Sequence, residues 1–209
     1  MKKLVVICLT TLLTLSVLGC AKPEPKPSET VTKVLDLMKT DIRADFSPYF
    51  YGEFSNSNFI PENDVEENEF TKMLETRLIE LYTDFDYVVI SETVSEDKKT
   101  AVVEVEFTTH DLGTFFVSFI TQYIAKAFEL AFSRKGEDEI NEAGVSLFET
   151  LSADLKKDKT SRVQATMTYV NGQWLIDGGE DANVPFFNGL TGGLIETIEE
   201  FAESFEETE

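Results

Sequence analysis

Residues 101–108 read Ala-Val-Val-Glu-Val-Glu-Phe-Thr. Ala101, Val103, Val105 and Phe107 alternate with Val102, Glu104, Glu106 and Thr108. Neighbouring side chains on a strand point to opposite faces, so this run has one apolar and one largely polar face. It reads as a half-buried antiparallel strand. Upstream, Tyr87 to Thr93 is a second strand, and Ser95-Glu96-Asp97-Lys98-Lys99 is the turn between the two. Ser161 to Val170 alternates again, and Gln173 to Asp177 is its returning strand. Asn171-Gly172 joins them, and that dipeptide favours a tight hairpin because both residues tolerate positive φ. The two hairpins predict an antiparallel sheet of about four strands.

The rest of the chain reads as helices. Ser28 opens an amphipathic helix with Val31, Val34, Leu35 and Met38 at helical spacing, and is the expected N-cap. Pro61 starts a second helix with acids near its N-terminus and a stripe of Phe70, Met73, Leu74, Leu78, Leu81 and Phe85. Leu112 to Ser133 is a Phe-rich helix, read as a central core helix. Ile140 to Leu155 is its partner. A loop rich in Gly and Pro then leads to a last helix with Leu194, Ile198, Phe201 and Phe205 on one stripe. The predicted order is α-α-β-β-α-α-β-β-α. Hairpins beside helices predict the α+β class, with the sheet covered on one face.

The first 27 residues are of another kind. Lys2 and Lys3 precede the uncharged apolar run Leu4 to Leu18, and a charged start before a short apolar core is the form of a secretory signal. A membrane-spanning helix needs about 20 apolar residues. Val17-Leu18-Gly19-Cys20 resembles the lipobox of bacterial lipoproteins. That resemblance implies cleavage before Cys20, acylation of its thiol and a place on the extracytoplasmic face of the cell membrane. Ala21-Lys22-Pro23-Glu24-Pro25-Lys26-Pro27 suits an extended tether, since its prolines and charges cannot pack a core. The expected organisation is a signal peptide over 1–19, an acylated cysteine and tether over 20–27, and one α+β domain over 28–209.

Charge restricts the partners. The chain has 18 basic and 39 acidic residues, a balance of −21. Removing residues 1–19 takes two lysines and no acids, leaving −23. Nucleic acid and anionic surfaces are repelled by such a body; the charge serves solubility beside an anionic envelope, or else meets a cationic partner or a divalent metal. Cysteine is restrictive too. Cys8 lies in the signal and Cys20 is the acylation candidate, so the domain has no thiol for catalysis or metal binding.

The opening helix Ser-Glu-Thr-Val-Thr-Lys-Val-Leu, residues 28–35, and the hairpin Val-Asn-Gly-Gln-Trp-Leu-Ile-Asp, residues 170–177, look like those of lipoproteins with a nuclear-transport-factor-like, or cystatin-like, cone domain. The resemblance implies a curved sheet wrapped around the early helices. That architecture hosts isomerases, dehydratases and binding modules, so it does not fix an activity.

Candidate sites follow from residue types. His110 is the only histidine, and Asp111 follows it. Adjacent strand residues face opposite ways, so the two do not form an acid–base dyad, and Asp111 suits a helix cap. One histidine and no usable thiol leave no zinc set, and no cofactor is expected. Asp177 to Asn183 offers oxygen ligands without the spacing of a calcium loop. Gly189-Leu-Thr-Gly192-Gly193 has the form of a phosphate cradle, but it lacks the lysine and leads into Glu196, Glu199 and Glu200. Phe46, Tyr49, Phe50, Tyr51, Phe54 and Phe59 form an aromatic loop that either caps the sheet or grips a ligand.

The remaining candidate is an apolar pocket between the Phe-rich helix and the sheet, lined by Phe107, Phe116, Phe119 and Tyr123. The functions in play are a non-enzymatic domain binding an apolar ligand or envelope protein, a small-molecule enzyme, and a structural subunit of an envelope assembly.

Overall fold

A computed structural model describes residues 24–52, 54, 69–179 and 182–206. The signal, Cys20, Phe59 and the start of the second predicted helix lie outside the described residues.

Helix α1 spans Pro27–Thr40. Pro27 sits in its first turn, where a missing N–H costs nothing. Its stripe of Val31, Val34, Leu35 and Met38 is fully buried. Ser28 is not the cap. Its backbone N–H donates to the Glu92 carboxylate at 3.0 Å, so the anion at the helix N-terminus comes from a strand distant in sequence.

Strand β1 (Phe50–Tyr51) follows a short 3-10 turn, and α2 is described over Glu69–Thr83. The main sheet strands are β2 (Asp86–Val94), β3 (Thr100–His110), β4 (Lys157–Val170) and β5 (Gln173–Asp177). Helices α3 (Leu112–Phe132) and α4 (Glu137–Ala153) form a hairpin between β3 and β4. Short α5 (Val184–Leu190) and α6 (Leu194–Glu206) close the chain.

The fold is α+β. Among the described residues the sheet has five strands, not four, in the order β1-β5-β4-β3-β2. Four are antiparallel as expected, while β1 lies parallel to β5 with Phe50 opposite Ile176. A two-residue strand shows no alternation, so periodicity gives no sign of it. Helix α5 is the second addition, with Pro185 in its first turn inside the Gly-rich segment. Hence the observed order is α-β-α-β-β-α-α-β-β-α-α. Asn171 and Gly172 both have positive φ, at 50° and 89°, as their hairpin requires.

Two cores result. The first lies on the face of Val103, Val105, Phe107, Ala165, Met167 and Ile176, beneath α1 and Phe186 of α5. The opposite face carries polar pairs such as Arg162–Glu106 at 2.9 Å. The second core is helical: Phe115 and Phe119 of α3 and Phe148 of α4, flanked by Phe70, Leu74 and Leu81 of α2. Gly144 makes this approach possible, because a Cβ there would meet the Phe70 and Tyr123 rings at 2.7 Å. Helix α2 joins the cores, since Ile79 and Tyr82 pack on the first. Leu78, expected inside, is exposed, and Phe85 lies beyond the helix in the sheet core.

The Phe-rich helix is therefore not a central core helix. It packs on α4 and α6, and only Leu112, Gly113, Phe115 and Phe119 of it are buried. The sheet's apolar face is already occupied by α1 and α5, leaving α3 at the periphery.

Candidate functional site

The four expected pocket residues are not brought together. Phe107 is fully buried in the sheet core, edge-on to Phe186 at 5.4 Å and to Phe85 at 6.1 Å. Phe119 and Tyr123 do meet, stacked at 5.8 Å, but in the helical core. Phe116 turns to α6 and meets Phe201 edge-on at 5.9 Å. The sheet–helix position proposed from sequence is thus divided among three environments.

Most of the described aromatic loop packs inward, with Tyr51 exposed. Phe46 and Phe50 are buried, Phe54 stacks on Phe50 at 3.8 Å, and Tyr49 lies against the same core. This is the capping alternative, completed by β1. The loop before α5 is pinned by Asn183, whose amide oxygen accepts from the Thr166 N–H at 2.6 Å and whose amide nitrogen donates to the Thr166 and Asp177 carbonyls. Its oxygen is thereby engaged. Among the described residues no three or more His, Cys, Asp or Glu side chains are placed to hold a metal. Glu180 and Asp181 of that loop lie outside the described residues.

The glycine segment before α6 is closed as an anion site. Asn188 Oδ1 accepts from the Glu196 N–H at 3.1 Å, Asn188 Nδ2 donates to the Glu196 carboxylate, and the Thr197 N–H donates to the Gly193 carbonyl. The lysine that the sequence seemed to lack does arrive. Lys159 Nζ donates to the Gly192 carbonyl and to Asp111 Oδ1, both at 2.9 Å, and so is already committed.

A polar network lies at the end of the sheet where β2 and β4 begin and β3 ends. His110, 8% exposed, pairs through Nε2 with Asp84 Oδ2 at 2.9 Å. Lys157 Nζ joins Asp84 and Asp86, each at 2.9 Å, and Lys39 of α1 reaches Asp86 at 3.5 Å. Lys157 and then His110 hold the Asp84 carboxyl below its ordinary range, and Lys157 does the same for Asp86. The two carboxylates raise Lys157 in return. Asp111 does not pair with His110. It caps α3, accepting from the Thr114 N–H, and although burial opposes its ionisation, Lys159 and Thr114 hold its carboxyl low.

Asp84 had no sequence signal, since 26 residues separate it from His110. A His–carboxylate pair is half of an acid–base device. Yet His110 Nδ1 is buried without a partner among the described residues, so no hydroxyl or amine stands there to be activated. The network ties α1, the α2–β2 junction, β3 and β4 together, which is the role of a clamp.

The outer side of α3 is the other unusual surface. Val117, Ile124, Phe128 and Phe132 are exposed, Phe128 by 62% and Phe132 by 86%. Among the described residues α3 is the one helix long and apolar enough to cross a membrane by length and composition, and little of it is buried. Its only charges, Lys126 and Glu129, pair with each other at 2.9 Å. Compared with known proteins, the chain matches no family model, no curated protein and no solved structure.

Proposed function

We propose that this chain is an extracytoplasmic lipoprotein, anchored by lipid on Cys20, whose domain is a non-enzymatic accessory module that binds a partner through α3. The observation carrying this reading is the exposed stripe Val117, Ile124, Phe128 and Phe132. Exposed apolar patches of this kind mark interaction surfaces. Burying each phenylalanine is worth about 1.5–3 kcal/mol, so a partner gains from covering it.

Residues 24–27 are held on the domain and do not continue the free tether expected over 20–27, with Pro27 buried in the first turn of α1. Glu24 pairs with Lys98 in the β2–β3 turn at 3.2 Å, and the Pro25 carbonyl accepts from Trp174 Nε1 at 3.0 Å. The chain therefore enters the domain at the hairpin-turn end of the sheet, with only residues 21–23 between Glu24 and Cys20. A cone-like domain is part of the same proposal. Its support is α1 lying on the inner sheet face and the Asn171-Gly172 hairpin beside it.

Lipid content and gel migration of Cys20→Ser test the anchor. The variant is expected to carry no lipid and to keep its signal uncut, so that it runs as the longer precursor. Unchanged lipid content and processing would refute it. Uptake of an apolar dye tests the face: Phe128→Ser with Phe132→Ser is expected to lower it while leaving the urea midpoint in place.

A further inference from the structure

We infer that the α3 face receives a cationic amphipathic helix from a partner protein. The inference rests on α3 being an interaction surface and names the chemistry of its occupant.

Val117, Ile124, Phe128 and Phe132 recur at intervals of seven, four and four, which places them on one side of the helix. At 1.5 Å per residue the stripe runs about 22 Å, the length of four helical turns. No charged residue lies among them on that side: Lys126 falls on the opposite side of the helix and Glu129 on the flank, and the two pair with each other. The stripe accepts an apolar helical face of matching length.

The surroundings select the charge of that helix. Helix α6 packs alongside α3 and exposes Glu196, Glu199, Glu200 and Glu203. Glu137 and Asp138 are exposed at the start of α4. The chain as a whole carries −21. A second copy would bring two acidic bodies together, and an anionic bilayer would meet the same repulsion. A helix with an apolar face and lysine or arginine on its rim meets the stripe and the carboxylates at once.

The probe is a synthetic amphipathic helix of Leu and Lys, with a Leu/Glu helix of the same pattern as control. Binding is followed by fluorescence anisotropy on the full chain, in phosphatidylcholine nanodiscs when acylated. The Leu/Lys peptide is expected to bind and the Leu/Glu peptide not to. Its affinity is expected to fall about tenfold or more between about 50 mM and about 500 mM salt, where screening shortens to a few ångströms. Phe128→Ser with Phe132→Ser is expected to lower binding about tenfold or more, one decade in affinity for each 1.4 kcal/mol. Glu199→Lys with Glu200→Lys and Glu203→Lys leaves the stripe untouched and is also expected to weaken binding.

No preference between the peptides, or no binding of either, overturns the inference. Flotation with phosphatidylglycerol vesicles, or a concentration-dependent dimer through the same face, overturns the cationic partner and keeps the interaction surface. Unfolding of the double serine variant removes the interaction surface itself.

Discussion

His110 Nε2 lies 2.9 Å from Asp84 Oδ2, and Asp84 Oδ1 lies 2.9 Å from Lys157 Nζ. One carboxylate thus joins the end of β3 to the start of β4 from the turn that precedes β2. The histidine ring is buried while the carboxylate is half-exposed.

Asp84→Asn keeps the volume and loses both charge-assisted contacts. The expected cost is about 1–2 kcal/mol, moderated by solvent screening of the exposed carboxylate. Urea denaturation at neutral pH measures it. A cost near zero would show that the clamp does not contribute to stability.

The same network sets a pH dependence. The folded-state pKa values of Asp84 and Asp86 are lowered, so their contribution is present above the unfolded carboxyl range, near pH 4, and is lost as pH falls through the folded values. Lys157 is raised, so its contribution is present below the ordinary lysine range, near pH 10, and is lost as pH climbs through the folded value. Thermal melts across pH should show loss at both extremes. Asp84→Asn should flatten the acid arm, and an unchanged arm would remove Asp84 as its cause.

Two glycines separate strain from collision. Gly172 has φ +89° with open space around it, so Gly172→Ala should cost about 1–2 kcal/mol from conformation alone. Gly192 has φ +61°, and a Cβ there would strike the His110 carbonyl oxygen. Gly192→Ala should therefore cost clearly more, about 3 kcal/mol or above. Equal losses by chemical denaturation would mean the β3 end yields to the added methyl.

The two sides of α3 should respond oppositely. Phe119 is buried against Phe148 and Tyr123, so Phe119→Ala should cost about 3–5 kcal/mol. Phe132 is solvent-exposed, so Phe132→Ala should stay within about 0.5 kcal/mol. Equilibrium unfolding of both variants checks the assignment of inside and outside. A large loss at Phe132 would place that ring in a core.

The sequence by itself determined the α+β class, the two hairpins and the buried stripe of α1. Period-two alternation at Ala101–Phe107 and the Asn171-Gly172 turn are local properties, and local chemistry fixes them. Asp111 as a cap was legible for the same reason, because its partner Thr114 is three residues away. Tertiary structure decided what depends on distant partners. Strand β1 is too short for a period, and it exists because Phe50 finds Ile176. Glu92 caps α1 from 64 residues away. The side of α3 that is buried was also decided there. Its apolar residues cover most of its circumference, so composition leaves its orientation open. The sheet face was taken by α1 and α5, and α3 turned Phe115 and Phe119 toward Phe148, leaving Phe128 and Phe132 outside.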